Sequence, residues 1–199
     1  MVSTDRRTAI LEGAARVIAR RGVRGLRVEE LAAEAGVSTA LVYYHFKDRA
    51  GILHHTLEFI SDRADRYTAA ESDAGRADGT DDDPRRELAR TLLLEFQDVP
   101  EVRENSTAWG ELRASAVFDP ALRTDLARAG LVWVHEVAEL LGRSAPQAPA
   151  PALTASAERL TALLEGLSTR WLSGLLREEH ARDLMREAVE VEIGHLGRL

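Results

Sequence analysis

The sequence predicts an all-α fold, in which a three-helix N-terminal domain is joined by a long fourth helix to a C-terminal helical bundle. Ala, Leu, Arg and Glu are abundant, while aromatic residues make up only 5% of the 199 residues, and this balance favours helix over sheet. Apolar residues recur at spacings of three and four, as on the buried face of a helix. The β-branched residues nowhere alternate over several positions, so we expect no strand.

Residues that start and stop helices predict the elements of the N-terminal domain. Gly22 and Gly36 are placed to end helices, because glycine adopts the left-handed conformation without steric cost. Ser38 and Asp48 are placed to begin helices, because their side-chain oxygens can accept hydrogen bonds from free amides. The first four helices are therefore expected at residues 4–21, 28–35, 39–46 and 48–70.

The remainder of the chain is predicted to be helices separated by two mobile loops. Residues 71–84 are polar, acidic and glycine-bearing, and residues 143–151 are rich in proline, compositions that are typical of loops. Further helices are expected at 84–99, 100–118, 120–142, 152–177 and 181–195. We assign residues 1–47 to one domain and residues 48–199 to the other.

Composition excludes several classes of protein. The chain has no cysteine, which excludes disulfides, cysteine-based zinc sites, iron–sulfur clusters and a thiol nucleophile. No uninterrupted apolar run approaches the roughly 18 residues that a membrane span needs. The N-terminal stretch contains no apolar signal core, so we expect a cytoplasmic protein.

The charge is distributed unevenly along the chain. The formal net charge is −7, yet residues 1–50 carry nine Lys/Arg and six Asp/Glu. An asymmetry of this kind indicates that the first segment binds a polyanion and the rest does not. A chance fluctuation of surface charge is the alternative explanation.

The most informative segment is Val28–Asp48, where two short predicted helices are joined by a tight turn. This is the helix-turn-helix arrangement, in which the second helix can enter the major groove of DNA. Val42 and Phe46 would face the core, which leaves short polar and aromatic groups to contact phosphates and base edges. The spacing alone is equally consistent with a corner between helices in an ordinary helical domain.

Residues from Thr4 to about Glu58 resemble the N-terminal DNA-binding domain of the TetR family of transcriptional regulators. The resemblance is carried by the motif GVSTALVYYHFKDRAGIL, which begins at Gly36. Weaker motifs at Trp109–Arg113, Phe118–Arg123 and Leu163–Leu172 resemble the BetI-like C-terminal branch of that family. The resemblance implies a ligand-responsive regulator, most often a repressor, which binds a palindromic DNA operator as a homodimer and is released by a small-molecule effector.

The resemblance also implies which side chains contact DNA. The positions that contact phosphate in that family are occupied in this chain by Ser38, Tyr43, His45 and Lys47. The variable positions that contact bases in that family are occupied in this chain by Thr39, Ala40 and Tyr44. The chain departs from the family pattern at Arg27 and Val28, where Thr or Ser usually caps the second helix. We expect that cap to be lost, and the charge of Arg27 to replace its phosphate contact.

The C-terminal helices are predicted to supply the dimer interface and the effector site. Apolar rows on the last two helices are too wide for one internal contact, which favours a four-helix bundle with a second copy over burial of both faces within one chain. The expected interface residues are Leu160, Leu164, Leu167, Trp171, Leu184, Ala188 and Val191. The expected effector-binding residues are Phe96, Asn105, Trp109, Glu111, Arg113, Trp133 and His135. A closed core in place of a pocket is the alternative.

Neither an enzyme nor a metal or cofactor site is expected. The motifs G-x-S-x-G and H-E-x-x-H and the phosphate-binding loop do not occur in the sequence. His54 and His55 are adjacent on a predicted helix and point about 100° apart, so they should not easily share one metal. His180 and Asp183 lack a third ligand. The remaining hypotheses are a helical ligand-binding or interaction module with vestigial DNA binding, and a non-specific DNA-coating protein, which the overall acidity disfavours.

Overall fold

The structure is a computed structural model that describes the backbone of residues 2–77 and 83–199 and the side chains of residues 6–64 and 83–199. Within these ranges every regular element is a helix, as the sequence predicts. The helices are α1 Val2–Gly25, α2 Val28–Ala35, α3 Thr39–Phe46, α4 Arg49–Ala77, α5 Pro84–Leu93, α6 Pro100–Ala116, α7 Pro120–Ser144, α8 Ala150–Leu172 and α9 Glu178–Leu196. Among the described residues, no helix is both long enough and apolar enough to cross a membrane.

The helices group into two compact units. The first unit comprises Met1–Ala64 and Arg103–Ala129, and the second comprises Asp65–Val102 and Gly130–Leu199. Helices α4 and α7 have residues in both units. The first unit is therefore larger than residues 1–47, because it takes in the start of α4, most of α6 and the start of α7. The assignment of separate functions to residues 1–47 and 48–199 stays a prediction.

The core of the first unit is built from the N-terminal helices and from α6. Ile18, Leu31, Val42 and Leu57 contribute fully buried side chains from α1 to α4, and Leu112 adds another from α6. Apolar residues at spacings of three and four thus face one another across α1, α2 and α3, and burying them favours this packing. The result holds α3 against α2 in a fixed orientation.

The second unit has its own core, formed by α5, α7, α8 and α9. Four of the predicted interface residues on α8 lie inside it, with exposed fractions of 1–7%. These four are Leu160, Leu164, Leu167 and Trp171. Burial against their own chain leaves these side chains little surface to offer, and their assignment to a dimer interface stays a prediction. The wide apolar row on α8 is explained within one chain.

Several helix ends differ from those predicted. Helix α4 continues to Ala77, so the first part of the loop expected at 71–84 is helical, while residues 78–82 lie outside the described range. Helix α5 ends at Leu93 and α8 at Leu172, earlier than expected. After α8 the chain turns at Gly174, whose φ of 78° is left-handed. The connection between α7 and α8 is shorter than the predicted loop.

Candidate nucleic-acid interface

The turn between α2 and α3 is closed by backbone hydrogen bonds. Gly36 has φ 65° and ψ 35°, the left-handed conformation predicted for it. The Val37 amide donates to the Ala32 carbonyl at 2.9 Å, and the Gly36 amide donates to the Ala33 carbonyl at 3.3 Å. These two bonds form the Schellman pattern, which satisfies the last carbonyls of a helix. The turn is therefore specified by the sequence of α2 and by Gly36.

Helix α3 begins at the predicted cap. The Ser38 Oγ accepts a hydrogen bond from the Leu41 amide at 3.2 Å, which satisfies one of the free donors of the first helical turn. A serine hydroxyl has one proton and two lone pairs, so it can cap α3 and still donate to a phosphate. At the start of α2, by contrast, Arg27 makes no side-chain cap bond among the described residues, in agreement with the predicted loss of that cap.

One face of α3 is buried and the other is exposed. Val42 and Phe46 lie in the core, as expected. Thr39 and Ala40 are exposed, as are the rings of Tyr43 and Tyr44, with exposed fractions of 47% and 79%. His45 is partly buried, and its ring contacts that of Tyr44 at a centroid distance of 5.3 Å. A largely exposed tyrosine ring can offer its hydroxyl and its open face to an external partner. The exposed face of α3 consists of the residues that the family resemblance marks as DNA contacts.

The junction between α3 and α4 is a strained turn centred on Lys47. Lys47 has φ 65° and ψ −59°, and the Asp48 amide donates to the Phe46 carbonyl at 2.7 Å, so these residues form a γ-turn. A non-glycine residue in such a conformation costs of order 1–3 kcal/mol, and strain of this kind concentrates at functional sites. The turn leaves the Lys47 side chain exposed, shortly before the first residue of α4.

Two residues that the sequence analysis did not assign to this site keep the junction tight. The Asp48 Oδ1 accepts from the Gly51 amide at 2.8 Å and so caps α4. At Gly51, a Cβ atom would lie 2.1 Å from the Phe46 carbonyl oxygen. Only glycine permits that approach. A glycine three residues after a capping acid, where a helix former is usual, is the signal that could have revealed it.

An ion pair fixes α1 against α2. The Glu34 carboxylate accepts from Arg16 at 2.8 Å and also from Arg20. Hydrogen bonds from Arg20 and Arg16 hold the pKa of Glu34 below its ordinary value. The carboxylate thus stays ionised at neutral pH, and it links the helix-turn-helix motif to the helix that supports it.

The predicted effector-binding residues are divided between the two units. Asn105, Trp109, Glu111 and Arg113 belong to the first unit, and Phe96, Trp133 and His135 belong to the second. Phe96 is completely buried and packs on the Trp171 ring at a centroid distance of 6.2 Å. Trp133 and Trp109 are partly buried, and His135 is exposed. The assignment of these seven residues to one effector site stays a prediction.

Three of the polar groups on α6 have structural partners in the first unit. Glu111 accepts from the Val23 amide at 3.3 Å, just after the Gly22 kink of α1. The Asn105 amide oxygen accepts from Arg63 of α4 at 2.8 Å, and Glu104 forms an ion pair with the same guanidinium at 3.1 Å. Helix α6 is thereby tied to α1 and to α4. A displacement of α6 would therefore also displace α1 and α4, the two helices that support the helix-turn-helix motif.

His54 and His55, which the sequence predicts should not easily share one metal, both approach a third side chain of α4. Both rings lie close to the Glu58 carboxylate, and ligand atoms of all three side chains fall within 4.8 Å of one another. Glu58 lies three residues beyond one histidine and four beyond the other, so it is on the same helix face as both. The helical period gives the directions of the His54 and His55 Cβ atoms, but it does not give the rotamers that turn both rings towards Glu58.

Two family models match the chain, one in each part. The model described as bacterial regulatory proteins of the tetR family matches residues 10–56. The model described as the BetI-type transcriptional repressor C-terminal domain matches residues 84–194, which is more than half of the chain. Both models describe regulators of transcription rather than enzymes.

Individual proteins of known sequence or structure give the same result. The HTH-type transcriptional regulator BetI of Burkholderia mallei is 28% identical over 178 residues, covering 87% of this chain and 84% of that protein. The crystal structure of a TetR-family transcriptional regulator from Rhodococcus sp. matches with a TM-score of 0.84 and 45% identity, covering 96% of this chain and 99% of that one. A transcriptional regulator from Saccharomonospora viridis, crystallised in complex with choline, matches with a TM-score of 0.77 and 27% identity, covering 94% of this chain and 96% of that one.

Proposed function

The chain belongs to the TetR family of bacterial transcriptional regulators, and from this premise we propose that it is a repressor of a near-palindromic DNA operator. It binds that operator as a homodimer and leaves it when a small-molecule effector binds. The observation that carries the proposal is the exposed face of α3, which ends at the strained γ-turn of Lys47. Backbone strain at an exposed lysine that lies shortly before a helix N-terminus is understandable where a phosphate binds.

The proposed contacts fall into two groups. Lys47, Tyr43, Ser38 and His45 bind phosphates and fix the position of α3 on the duplex, because charged and hydroxyl groups at both ends of the helix suit the two flanking backbones. The exposed side chains of Thr39, Ala40 and Tyr44 lie between them and contact base edges or thymine methyl groups. Arg27 is exposed at the start of α2 and supplies a further cation.

Two substitutions test these roles against each other. Lys47→Ala and Tyr43→Phe are expected to weaken binding to operator and to random DNA by similar factors, and Lys47→Ala should reduce the salt slope by about one unit. Tyr44→Ala should instead change the sequence preference. Arg85→Ala removes an exposed cation of the second unit and is the control that should change neither.

The operator for this test is obtained by selecting bound fragments from genomic DNA. A Lys47→Ala variant that changes sequence preference at unchanged overall affinity would overturn the assigned roles. Weak binding of the unsubstituted protein to all fragments, insensitive to salt, would favour a helical ligand-binding module with vestigial DNA binding.

The homodimer is proposed to form through the faces of α8 and α9 that stay exposed in one chain. Val191 is 61% exposed, and Leu184 and Ala188 on the same face of α9 are partly exposed. On α8, Leu163 is 38% exposed and flanks the buried row. A second copy would cover these apolar groups and complete a four-helix bundle, as two-fold symmetry requires.

Light scattering at micromolar concentration tests this interface. The unsubstituted chain is expected to be a dimer, and a Leu163→Glu and Val191→Glu double variant is expected to be a monomer, because two charges would be buried on each side. Leu131→Glu alters a 70% exposed apolar residue of α7 and should leave the dimer intact. A monomeric unsubstituted chain, or dissociation by Leu131→Glu alone, would refute the proposal.

The effector is proposed to act through α6. Because this helix is bonded to α1 through Glu111 and to α4 through Asn105, a ligand that moves α6 would also move the supports of α3. Helix α4 has 29 residues and a length of roughly 43 Å at 1.5 Å per residue. Release by a factor of 100 in operator affinity needs about 2.7 kcal/mol of coupling, which is within the usual allosteric range.

Choline is the first ligand to test, because a structural relative was crystallised with it. Thermal shift with choline and a metabolite library would identify ligands, and each would then be added to the operator complex. Trp109→Leu on α6 is expected to weaken the binding of a true effector. If no ligand weakens operator binding, or if ligands strengthen it, the mechanism of effector release is wrong.

A further inference from the structure

A cluster of metal-ligating side chains lies on α4 outside the proposed DNA and effector sites. It is formed by His54, His55 and Glu58, and their ligand atoms all lie within 4.8 Å of one another. The exposed fractions of these side chains are 32%, 32% and 47%, so an ion in solution can reach them. All three belong to the first unit.

The distances within the cluster suit a tetrahedral ion. The His54 Nε2 lies 3.4 Å from the Glu58 Oε1, and the His55 Nδ1 lies 2.8 Å from the Glu58 Oε2. Zinc binds imidazole nitrogen and carboxylate oxygen at about 2.0–2.2 Å in tetrahedral geometry, which separates neighbouring ligand atoms by about 3.3–3.5 Å. Small rotations of these exposed side chains would therefore place all three around one ion.

A fourth side chain orients His54. The His54 Nδ1 lies 2.7 Å from the Asp125 Oδ2 of α7, and because a carboxylate only accepts, the imidazole donates from Nδ1. The lone pair of a neutral His54 is then on Nε2, the nitrogen that faces Glu58. Metal-bound histidines commonly donate their second nitrogen to a carboxylate in this manner. Arg128 also bonds Asp125, at 3.0 Å, and holds that carboxylate in place.

We propose that His54, His55 and Glu58 bind one divalent transition-metal ion of the zinc class, with Asp125 as the positioning residue for His54. Two imidazoles and one carboxylate are a ligand set that zinc accepts with a fourth position open to water. The ion would neutralise the carboxylate that now lies against two imidazoles. The His55 ring also contacts the ring of Phe46, the last residue of α3, at a centroid distance of 5.7 Å. The occupied site would therefore restrain the end of the DNA-contacting helix.

The test uses the full chain without a histidine tag. Zn²⁺ is titrated calorimetrically, and Co²⁺ is added as a spectroscopic probe whose visible absorption distinguishes tetrahedral from octahedral coordination. The expected result is one ion per chain, tetrahedral Co²⁺ absorption and a rise in melting temperature with Zn²⁺ concentration, because a ligand that binds only the folded state stabilises it.

Single substitutions distinguish the residues that bind the ion from residues that only lie near it. Glu58→Gln keeps the shape of an exposed side chain and should lose more affinity than the 10–100-fold that is typical of an outer-shell partner. His55→Gln should do the same. Asp125→Asn should weaken Zn²⁺ binding by about 10–100-fold while leaving the Co²⁺ spectrum unchanged. His180→Gln is the matched control, since His180 also lies on an exposed helix face three residues before an acid, Asp183.

The outcomes are distinct. The proposal is wrong if the unsubstituted chain binds no Zn²⁺ at micromolar concentration, and the cluster is then a set of hydrogen bonds alone. It is also wrong if Glu58→Gln binds Zn²⁺ as tightly as the unsubstituted chain, or if His180→Gln loses the ion instead. Because His55 packs against the core residue Phe46, a His55→Gln variant that fails to fold would leave the decision to Glu58→Gln.

Discussion

Replacing Gly51 with alanine should destabilise the protein, although alanine is ordinarily the better helix former. In a helix interior, glycine costs up to about 1 kcal/mol relative to alanine, so helix propensity alone predicts a gain in stability. At Gly51, however, the new Cβ would lie 2.1 Å from the Phe46 carbonyl oxygen, more than 1 Å inside the roughly 3.3 Å of a close carbon–oxygen contact. The obstacle is backbone, which cannot rotate away as a side chain can.

The junction between α3 and α4 must therefore open in Gly51→Ala, and the resulting loss of stability can be estimated. Overpacking typically costs about 1–3 kcal/mol, and a clash with backbone belongs in the upper half of that range, about 2–3 kcal/mol. After subtracting about 1 kcal/mol gained in helix propensity, we expect a net loss of about 1–2 kcal/mol in the free energy of unfolding. Since the Phe46 carbonyl also accepts the γ-turn bond at 2.7 Å, Lys47 should move as well. Gly51→Ala should then weaken DNA binding even where the protein is folded.

Thermal or urea unfolding and a DNA-binding titration check this prediction. A loss of 1–2 kcal/mol corresponds to a melting temperature lower by roughly 2–8 °C for a chain of this size. Gly110→Ala is the control, since no described atom beyond its chain neighbours and the adjacent backbone of its own helix lies within 4 Å of the added Cβ, and it should be neutral or slightly stabilising. If Gly51→Ala is as stable as that control and binds DNA normally, the argument from the close contact is wrong.

Three further predictions concern individual bonds. Ser38→Ala should cost about 1 kcal/mol of stability in urea unfolding through the lost cap, whereas Ser38→Asp should retain the stability but weaken DNA binding by repulsion from phosphate. Arg182→Met should cost about 1–3 kcal/mol, because the guanidinium donates to the carbonyls of Leu93 at 3.1 Å and of Phe96 at 2.6 Å and Met leaves both without that donor. Hydrogen bonds from Arg159 hold the pKa of Glu192 below its ordinary value of 4.5, so Glu192→Gln should be less stable by about 0.5–1 kcal/mol at pH 7. That difference should shrink as the pH falls below 4.5 and disappear below the folded-state pKa, where both side chains are neutral; an unchanged difference at low pH would refute the assignment.

The helix-turn-helix motif could be predicted from the sequence because its determinants are local. Helices α2 and α3 have the predicted bounds, since Gly36 ends one and Ser38 caps the next through bonds that span only a few residues. The inward positions of Val42 and Phe46 follow equally from the helical period. The same residues carried the family resemblance, and the family models then confirmed it.

The predicted dimer interface shows where the helical period stops being informative. Apolar residues at spacings of three and four mark a face that will be buried, but they do not say by what. Leu160, Leu164, Leu167 and Trp171 are covered by their own chain. Only the packing of α8 against α9 shows that this apolar row of α8 is buried, whereas Val191 on α9 is exposed.

Local patterns were sufficient to predict the helical fold, the turn at Gly36–Ser38 and the family, because each depends on neighbouring residues or on a contiguous motif. The tertiary structure decided which apolar face each C-terminal helix buries, how Glu111 ties α6 to α1, and how Asp125 of α7 meets His54 of α4. These contacts join residues 71 and 88 positions apart. Residues so distant in sequence meet only through the packing of whole helices, which no local pattern encodes.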